Sequence, residues 1–197
     1  MSKTRAIILV ENNYEDLEVW YPRLRLTEAG YEVKVAGTGE KTYSSKHGYP
    51  CATDGKIEDF KVDDFDILLV PGGWAPDRLR RYPAVLDFVR ESARKNKIIA
   101  SVCHAGWVLI SADVVRGRKM TSVAAIKDDM KNAGALWVDE PVVVDGNFVS
   151  AQIPKDLPEF CKQIIALVEH EQVESRTSSS SQQVNRSAGQ QVDRSAR

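Results

Sequence analysis

The chain has 197 residues, and its 27 Lys and Arg residues against 28 Asp and Glu residues give a formal net charge of -1 at pH 7. This length suits one domain with a sizeable core plus a further segment, and the charge gives no electrostatic basis for binding nucleic acid or an anionic membrane. No apolar run approaches the roughly 20 residues of a membrane-spanning helix, and the five apolar residues before Glu11 are too few for a secretory signal. Three widely spaced cysteines argue against a disulfide framework, so we expect a cytoplasmic protein.

Three near-continuous apolar runs predict strands that are buried on both faces of a parallel sheet. They are AIILV (6–10), DILLV (66–70) and IIASV (98–102), and the alternating segment YEVKVAG (31–37) predicts a flanking strand.

Helices are predicted between these strands and after them, over 15–29, 82–95, 104–113 and 155–169. Pro22 predicts a kink or a break in the first of these helices, because proline removes an intrahelical hydrogen bond. Near the C-terminal side, Asp145-Gly146 predicts a hairpin turn.

Strands that alternate with helices predict right-handed βαβ units in a doubly wound α/β sheet. Sites in such sheets form at the carboxyl ends of the strands. Three of these ends carry chemistry: ENNYEDLE after the first strand, PGGWAPDRLR after the second apolar run and CHAG after the third.

Residues 1–170 are predicted to form the globular domain, and residues 171–197 to form a disordered polar tail. The tail has no aromatic residue and no Leu, Ile or Met, so it cannot bury enough apolar surface to offset the entropy of ordering it. A partner-binding appendage is the alternative interpretation.

Cys103 follows a predicted buried strand and has small neighbours, among them Ser101, Ala105 and Gly106. A nucleophile on a tight strand-to-helix turn needs such neighbours, and a helix N-terminus lowers the pKa of a thiol. The alternative is a buried thiol that fills core space.

The pair Gly72-Gly73 also follows a strand, and its amides could face an oxyanion beside Cys103 together with the amide of His104. A plain Pro-Gly-Gly turn is the alternative.

Glu18 lies one helical turn beyond Glu15, among apolar residues. A carboxyl partly buried there would have a raised pKa and could exchange a proton with a thiol. We interpret Glu15 as ordinary acidity at a helix N-terminus.

His47 and Cys51 share a loop, but two ligands make no metal site, so no metal is expected.

Taken together, these segments resemble the ThiJ/PfpI superfamily, which has the class I glutamine amidotransferase-like fold, and its PfpI-type branch in particular. The resemblance covers roughly residues 5–169 and extends through EDLEVWYP, KHGYP, PGGWAPDRLR, ASVCHAG, LISADVVRGRKMTS, IKDDMKNAGALWVDEPVVVDGNFVS and IPKDLPEF. It implies a flavodoxin-like three-layer α/β sandwich with a mostly parallel sheet and a nucleophile elbow at Cys103.

The resemblance also implies roles for the residues around Cys103. Glu18 would hydrogen-bond the thiol, and His104 would be oriented by Asp77 of a neighbouring subunit in a homodimer or hexamer. Adjacent side chains do not easily face each other, so we expect the pair Cys103–Glu18 to matter more than Cys103–His104. Cys-His-Ala-Gly replaces the usual Cys-His-Gly-Pro, which affects the pocket rim, and Trp74 is expected to narrow or line that pocket.

Family resemblance implies a cofactor-independent glyoxalase III or deglycase-like enzyme of stress protection, acting on reactive dicarbonyls or their adducts. Cys103 would form a hemithioacetal with a small aldehyde or glycated substrate, and Gly72, Gly73 and Trp74 would bind it. Two alternatives remain open: an intracellular cysteine peptidase of the PfpI type, and a non-enzymatic redox-sensing chaperone.

Overall fold

A seven-stranded sheet, in the order β10-β11-β7-β6-β1-β2-β5, forms the centre of the computed structural model, which describes residues 3–173. All of its neighbouring strands are parallel except β10 and β11. Two small two-stranded sheets, β3-β4 and β8-β9, lie outside it. The strands are β1 (Arg5–Leu9), β2 (Glu32–Gly37), β3 (Thr42–Ser44), β4 (Pro50–Ala52), β5 (Gly55–Lys56), β6 (Ile67–Val70), β7 (Ile98–Val102), β8 (Lys119–Met120), β9 (Leu136–Trp137), β10 (Val142–Asp145) and β11 (Phe148–Ala151).

The three apolar runs of the sequence are β1, β6 and β7, side by side in the middle of the sheet. Every side chain of β6 is at most 1% exposed, although successive side chains point to opposite faces of a strand. Both faces of the sheet are therefore covered, which is why these strands read as continuous rather than alternating apolar runs. The predicted α/β fold with a mostly parallel sheet is confirmed.

Six helices connect or flank these strands within residues 3–173. They are α1 (Asp16–Glu28), α2 (Ala75–Leu79), α3 (Pro83–Arg94), α4 (Gly106–Ser111), α5 (Lys127–Asn132) and α6 (157–173). Of the kink or break predicted at Pro22, the break is wrong, because α1 continues across this residue, and the kink stays a prediction. Pro22 is buried together with Val19 and Leu26, and we attribute the intact helix to this packing, which offsets one missing hydrogen bond.

The C-terminal part of the described chain contains the predicted hairpin. Asp145 pairs with Phe148 in antiparallel register, and Gly146 between them has a φ of 58°. Residues 171–173 continue α6, and the rest of the predicted tail lies outside the described residues. No helix within residues 3–173 is long and apolar enough to cross a membrane.

The carboxyl ends of β1, β6 and β7 meet at one edge of the sheet. The parallel register places Ile8 beside Leu69 and Leu69 beside Ala100. The segments that follow these strands therefore leave the sheet side by side, and they carry Glu18, the glycine pair and Cys103.

Candidate active site

Cys103 lies at the sharp turn between β7 and the helical segment that follows. Its φ is 62°, a left-handed conformation that a non-glycine residue rarely adopts, and a 3-10 turn over Cys103–Ala105 leads into α4. The first residue of α4 has little room for a side chain, because a Cβ on Gly106 would lie 2.6 Å from Met130 Sδ. The structure thus places Cys103 at a nucleophile-elbow-like position, where backbone strain often accompanies function.

Glu18 is fully buried within α1, and its carboxyl contacts the glycine turn. Gly72 N–H donates a hydrogen bond to Glu18 Oε2 at 2.7 Å. The other oxygen, Oε1, is buried and has no hydrogen-bond partner within the described part of the chain. The predicted interaction between Glu18 and the thiol appears instead as an effect of each side chain on the pKa of the other. Burial raises the pKa of Glu18 to about 8, although the Gly72 amide acts in the opposite direction. The carboxyl therefore holds its proton at neutral pH.

The amides of Gly72 and Gly73 face different groups, which corrects the expectation that both face an oxyanion. The Gly72 amide was expected to face an oxyanion, but it is directed to Glu18 instead. The backbone N–H groups of Gly73 and His104 face the Cys103 side chain and lower the pKa of its thiol. Two donors, not three, are available beside the thiol.

Close packing explains why this turn needs glycine. A Cβ on Gly72 would lie 2.6 Å from Glu18 Oε2 and 2.7 Å from Cys103 Cβ. The side chains of α1 and of the elbow thus meet across a residue that has no side chain of its own.

The ionisation of Cys103 differs from the sequence-based expectation of a lowered pKa. Burial, followed by the charge of an ionised Glu18, raises the pKa of Cys103 to about 12, and the Gly73 and His104 amides only partly oppose this. A short 3-10 turn gives little dipole to compensate for the loss of solvent. Because Glu18 is protonated at neutral pH, it carries no negative charge there. The ionisation of the Cys103 thiol therefore depends on whether Glu18 is protonated.

His104 lies closer to the thiol than we expected from the sequence. Its Nδ1 is 3.2 Å from Cys103 Sγ, so the expectation that adjacent side chains would not face each other is wrong. We attribute this approach to the left-handed backbone of Cys103. The ring lies beside Trp74 and Trp107, at centroid distances of 5.4 and 5.0 Å. Burial, and then the charge of Lys46, lower the pKa of His104, so the imidazole is neutral at neutral pH.

Two further predicted residues lie on α2 or at its start. Trp74 is 57% exposed and contacts His104 from the rim, as expected for a pocket-lining residue. Asp77 forms an ion pair at 2.5 Å with Arg81, which lies in the turn after α2. The expectation that Asp77 of a neighbouring copy orients His104 stays a prediction.

Sequence analysis missed one charged pair beside this site. Lys46 forms an ion pair with Glu15, and its charge interacts with Glu18 and Cys103. Glu15 is buried, so it is more than ordinary acidity at a helix N-terminus. The only signal was the loop KHGYP, whose lysine is 31 residues from Glu15 in the sequence.

One cluster in the described residues has side chains of metal-ligating types. Single ligand atoms of Glu15, Asp16 and His47 lie within 4.8 Å of one another. Protein groups already engage these atoms: Asp16 accepts hydrogen bonds from Ser45 Oγ at 2.6 Å and His47 Nδ1 at 2.7 Å, and Glu15 pairs with a lysine. The cluster is accounted for as a hydrogen-bond network.

The raised pKa of Glu18 makes stability depend on pH. The folded protein keeps this proton up to a pH of about 8, whereas the unfolded chain releases it near 4.5. The stabilisation is therefore complete below pH 4.5 and is lost as the pH rises through 8. We expect the free energy of unfolding of the wild type to fall by on the order of 4 kcal/mol relative to Glu18→Gln across this window. Urea unfolding at pH 5 and pH 9 measures the difference; parallel pH profiles would contradict a buried, protonated Glu18.

Comparisons with known proteins agree with this geometry. Residues 4–167 match the model of the DJ-1/PfpI family. A deglycase of Pyrococcus horikoshii is 43% identical over 164 residues, and the deglycase PfpI of Pyrococcus furiosus is 40% identical; each alignment covers 83% of this chain and 99% of the relative. The crystal structure of a two-domain protein from Anabaena variabilis, with DJ-1/ThiJ/PfpI-like and ferritin-like domains, matches with a TM-score of 0.83 and 39% identity, over 85% of this chain and 48% of that one. With Cys103 at its elbow and this sheet around it, the chain belongs to the DJ-1/PfpI family.

Proposed function

We propose that this protein is a deglycase-like enzyme that converts reactive dicarbonyls, or their adducts with amines, to 2-hydroxy carboxylates through a covalent intermediate on Cys103. One observation carries the proposal: a thiol lies beside two backbone N–H donors and a carboxyl that is protonated at neutral pH. The relatives from Pyrococcus that are named deglycases support it.

In the first step, Cys103 Sγ forms a bond with the aldehyde carbon of a dicarbonyl. The electron pair of the broken carbonyl π bond moves to the oxygen, which the amides of Gly73 and His104 stabilise and which takes the proton of Glu18. The thiol proton passes to His104 Nδ1, the neutral base at 3.2 Å. The product is a hemithioacetal, and Glu18 is left as a carboxylate.

In the second step, Glu18 acts as the base. It removes the proton from the carbon that carries sulfur, while the His104 imidazolium protonates the neighbouring carbonyl oxygen, which gives an enediol. Glu18 then returns its proton to the neighbouring carbon, and the hydroxyl of the first carbon gives its proton back to His104. The first carbon is thereby oxidised to a thioester and the second is reduced to an alcohol, so no external electron acceptor is needed. Water then hydrolyses the thioester, which releases the 2-hydroxy carboxylate and a proton and returns the thiol, and the imidazolium returns its proton to Glu18.

An amine adduct enters the same sequence at the same carbon. There Cys103 displaces the amine, which leaves with a proton, and the hemithioacetal is again formed. The neutral imidazole and the protonated carboxyl provide one acceptor and one donor for this exchange.

The test follows lactate release from purified methylglyoxal adducts of N-acetyl-lysine after free methylglyoxal has been removed, and from methylglyoxal itself. We expect Cys103→Ala to reduce lactate formation to the uncatalysed rate. Cys161→Ala, which removes a buried thiol elsewhere, serves as the matched control and should retain turnover. Lactate from free methylglyoxal but not from adducts would narrow the activity to that of a glyoxalase.

Other outcomes would replace the proposal. Cys103-dependent cleavage of a fluorogenic peptide without lactate formation would favour the peptidase alternative. An inert wild type whose Cys103 is selectively oxidised by peroxide would favour the redox-sensing alternative.

A further inference from the structure

The loop that carries Lys46 is joined to the candidate site through its backbone. Lys46 N–H donates a hydrogen bond to the carbonyl of Tyr14 at 3.0 Å. Tyr14 forms isolated bridges with Ser45 on one side and with Gly73 on the other. The segment around Tyr14 therefore lies between the lysine loop and the glycine whose amide contacts Cys103.

The side chain of Lys46 is held at this place by a carboxylate. Its ammonium group pairs with Glu15 Oε2, and the Glu15 side chain is only 11% exposed while that of Lys46 is 38% exposed. Glu15 N–H in turn donates to the carbonyl of Gly72 at 3.4 Å. The pair thus borders the glycine turn, with its carboxylate buried and its ammonium group reaching solvent.

The charge of Lys46 acts on the reacting groups. It interacts with Glu18 and Cys103, and it lowers the pKa of His104. The hydrogen bond that Lys46 donates to Glu15 is the largest cause that raises the pKa of Lys46, so the ammonium group stays charged. At neutral pH, Glu18 is protonated and His104 is neutral, which leaves Lys46 as the cation that an incoming anion would meet among these described groups.

We propose that Lys46 is the specificity-determining residue that selects substrates with a carboxylate within a few bonds of the reacting carbon, and that Glu15 holds it in place. Such substrates include adducts on the α-amino group of free amino acids, in which the α-carboxylate lies close to the adduct carbon. This inference rests on the proposed function for its substrate class, but the charge selection itself is a property of the site around Cys103.

The test compares two alkylating reagents of similar shape on Cys103: iodoacetate, which is anionic, and iodoacetamide, which is neutral. Sulfur displaces iodide from either reagent, so the ratio of the two rates cancels the fraction of thiolate and leaves the effect of charge. We expect Lys46→Met to lower the ratio of iodoacetate to iodoacetamide rates roughly three- to tenfold, as expected for one partly exposed charge. Lys46→Arg keeps the charge and should restore most of the ratio.

A second variant should change the ratio of iodoacetate to iodoacetamide rates in the opposite direction. Glu15→Gln removes the buried negative charge but keeps a side-chain oxygen that accepts a hydrogen bond from the Lys46 ammonium group, so Lys46 keeps its position and the same ratio should rise. If Lys46→Met fails to fold, Glu15→Gln still tests whether the charge of Lys46 selects between the two reagents. Cys103→Ala gives the background from the buried thiols of Cys51 and Cys161.

Two results would overturn the inference. One is that both reagents slow equally in Lys46→Met, which would mean that Lys46 acts only on the ionisation of the thiol. The other is a ratio that does not rise in Glu15→Gln. Because alkylation needs no turnover, a charge-selective thiol in a protein that forms no lactate would contradict the proposed function alone.

Discussion

Glu18→Gln should reduce lactate formation by on the order of 100-fold or more while changing the rate of Cys103 alkylation by iodoacetamide less than about tenfold. Glutamine can still accept the hydrogen bond of Gly72 N–H, and its amide can donate to a thiolate as a protonated carboxyl does. It cannot release or accept the proton that the proposed reaction moves between oxygen and carbon. Turnover and thiol reactivity, measured on the same preparation at pH 7, separate proton transfer by Glu18 from its hydrogen bonding.

Glu18→Asp is the matched comparison, because it keeps the acid but shortens its reach. Partial recovery of turnover in this variant would support proton transfer by the carboxyl. Equal losses of turnover and alkylation in Glu18→Gln would instead show that Glu18 acts only by keeping the thiol reactive, and the proposed second step would fail.

Gly73→Ala should destabilise the protein by about 3 kcal/mol or more, through overpacking and through an unfavourable backbone conformation. Gly73 has a φ of 70°, and an added Cβ would lie 2.5 Å from both the carbonyl oxygen of Asn13 and the amide nitrogen of Glu15. Both contacts are with backbone atoms, which cannot rotate away as a side chain would. The segments after β1 and β6 must therefore separate, and the donor beside Cys103 moves with them.

Gly117→Ala is the control for this prediction. Gly117 has a φ of 74°, but an added Cβ would have no atom within 4 Å. We expect a loss of only about 1 kcal/mol from the left-handed backbone. Thermal or urea unfolding of the two variants compares them directly, and similar losses would show that close packing at Gly73 is unimportant.

The arrangement of the central sheet could be predicted from the sequence because burial on both faces leaves a local pattern. The runs at β1, β6 and β7 contain almost no polar residue, and they end at an acidic segment, a glycine pair and a Cys-His pair, respectively. The small strands β3, β4, β8 and β9 leave no such pattern, because two or three residues with mixed exposure carry no period. Pro22 was misjudged because local propensity was outweighed by the packing of the buried face of α1.

At the site, the identity of the groups could be predicted but their electrostatics could not. Cys103, Glu18 and Gly73 stand out by their positions after strands or within a helix. The pairing of Glu15 with Lys46 depends on two segments that are far apart in the sequence and meet only in the folded chain, so no spacing in the sequence reveals it. The direction of the Cys103 pKa shift depends on burial, which a short motif does not determine.

The bridges of Tyr14 to Ser45 and Gly73 have a consequence for how the site comes into being during synthesis. The segments carrying Glu18, Lys46 and the glycine turn all leave the ribosome before Cys103 does. Cys103 is thus the last of these groups to emerge, directly after strand β7, which pairs with β6 on one side and with the later β11 on the other. Cys103 meets Glu18 only when β7 has been inserted between β6 and β11, so a chain in which β7 is not yet paired has the thiol without the carboxyl beside it.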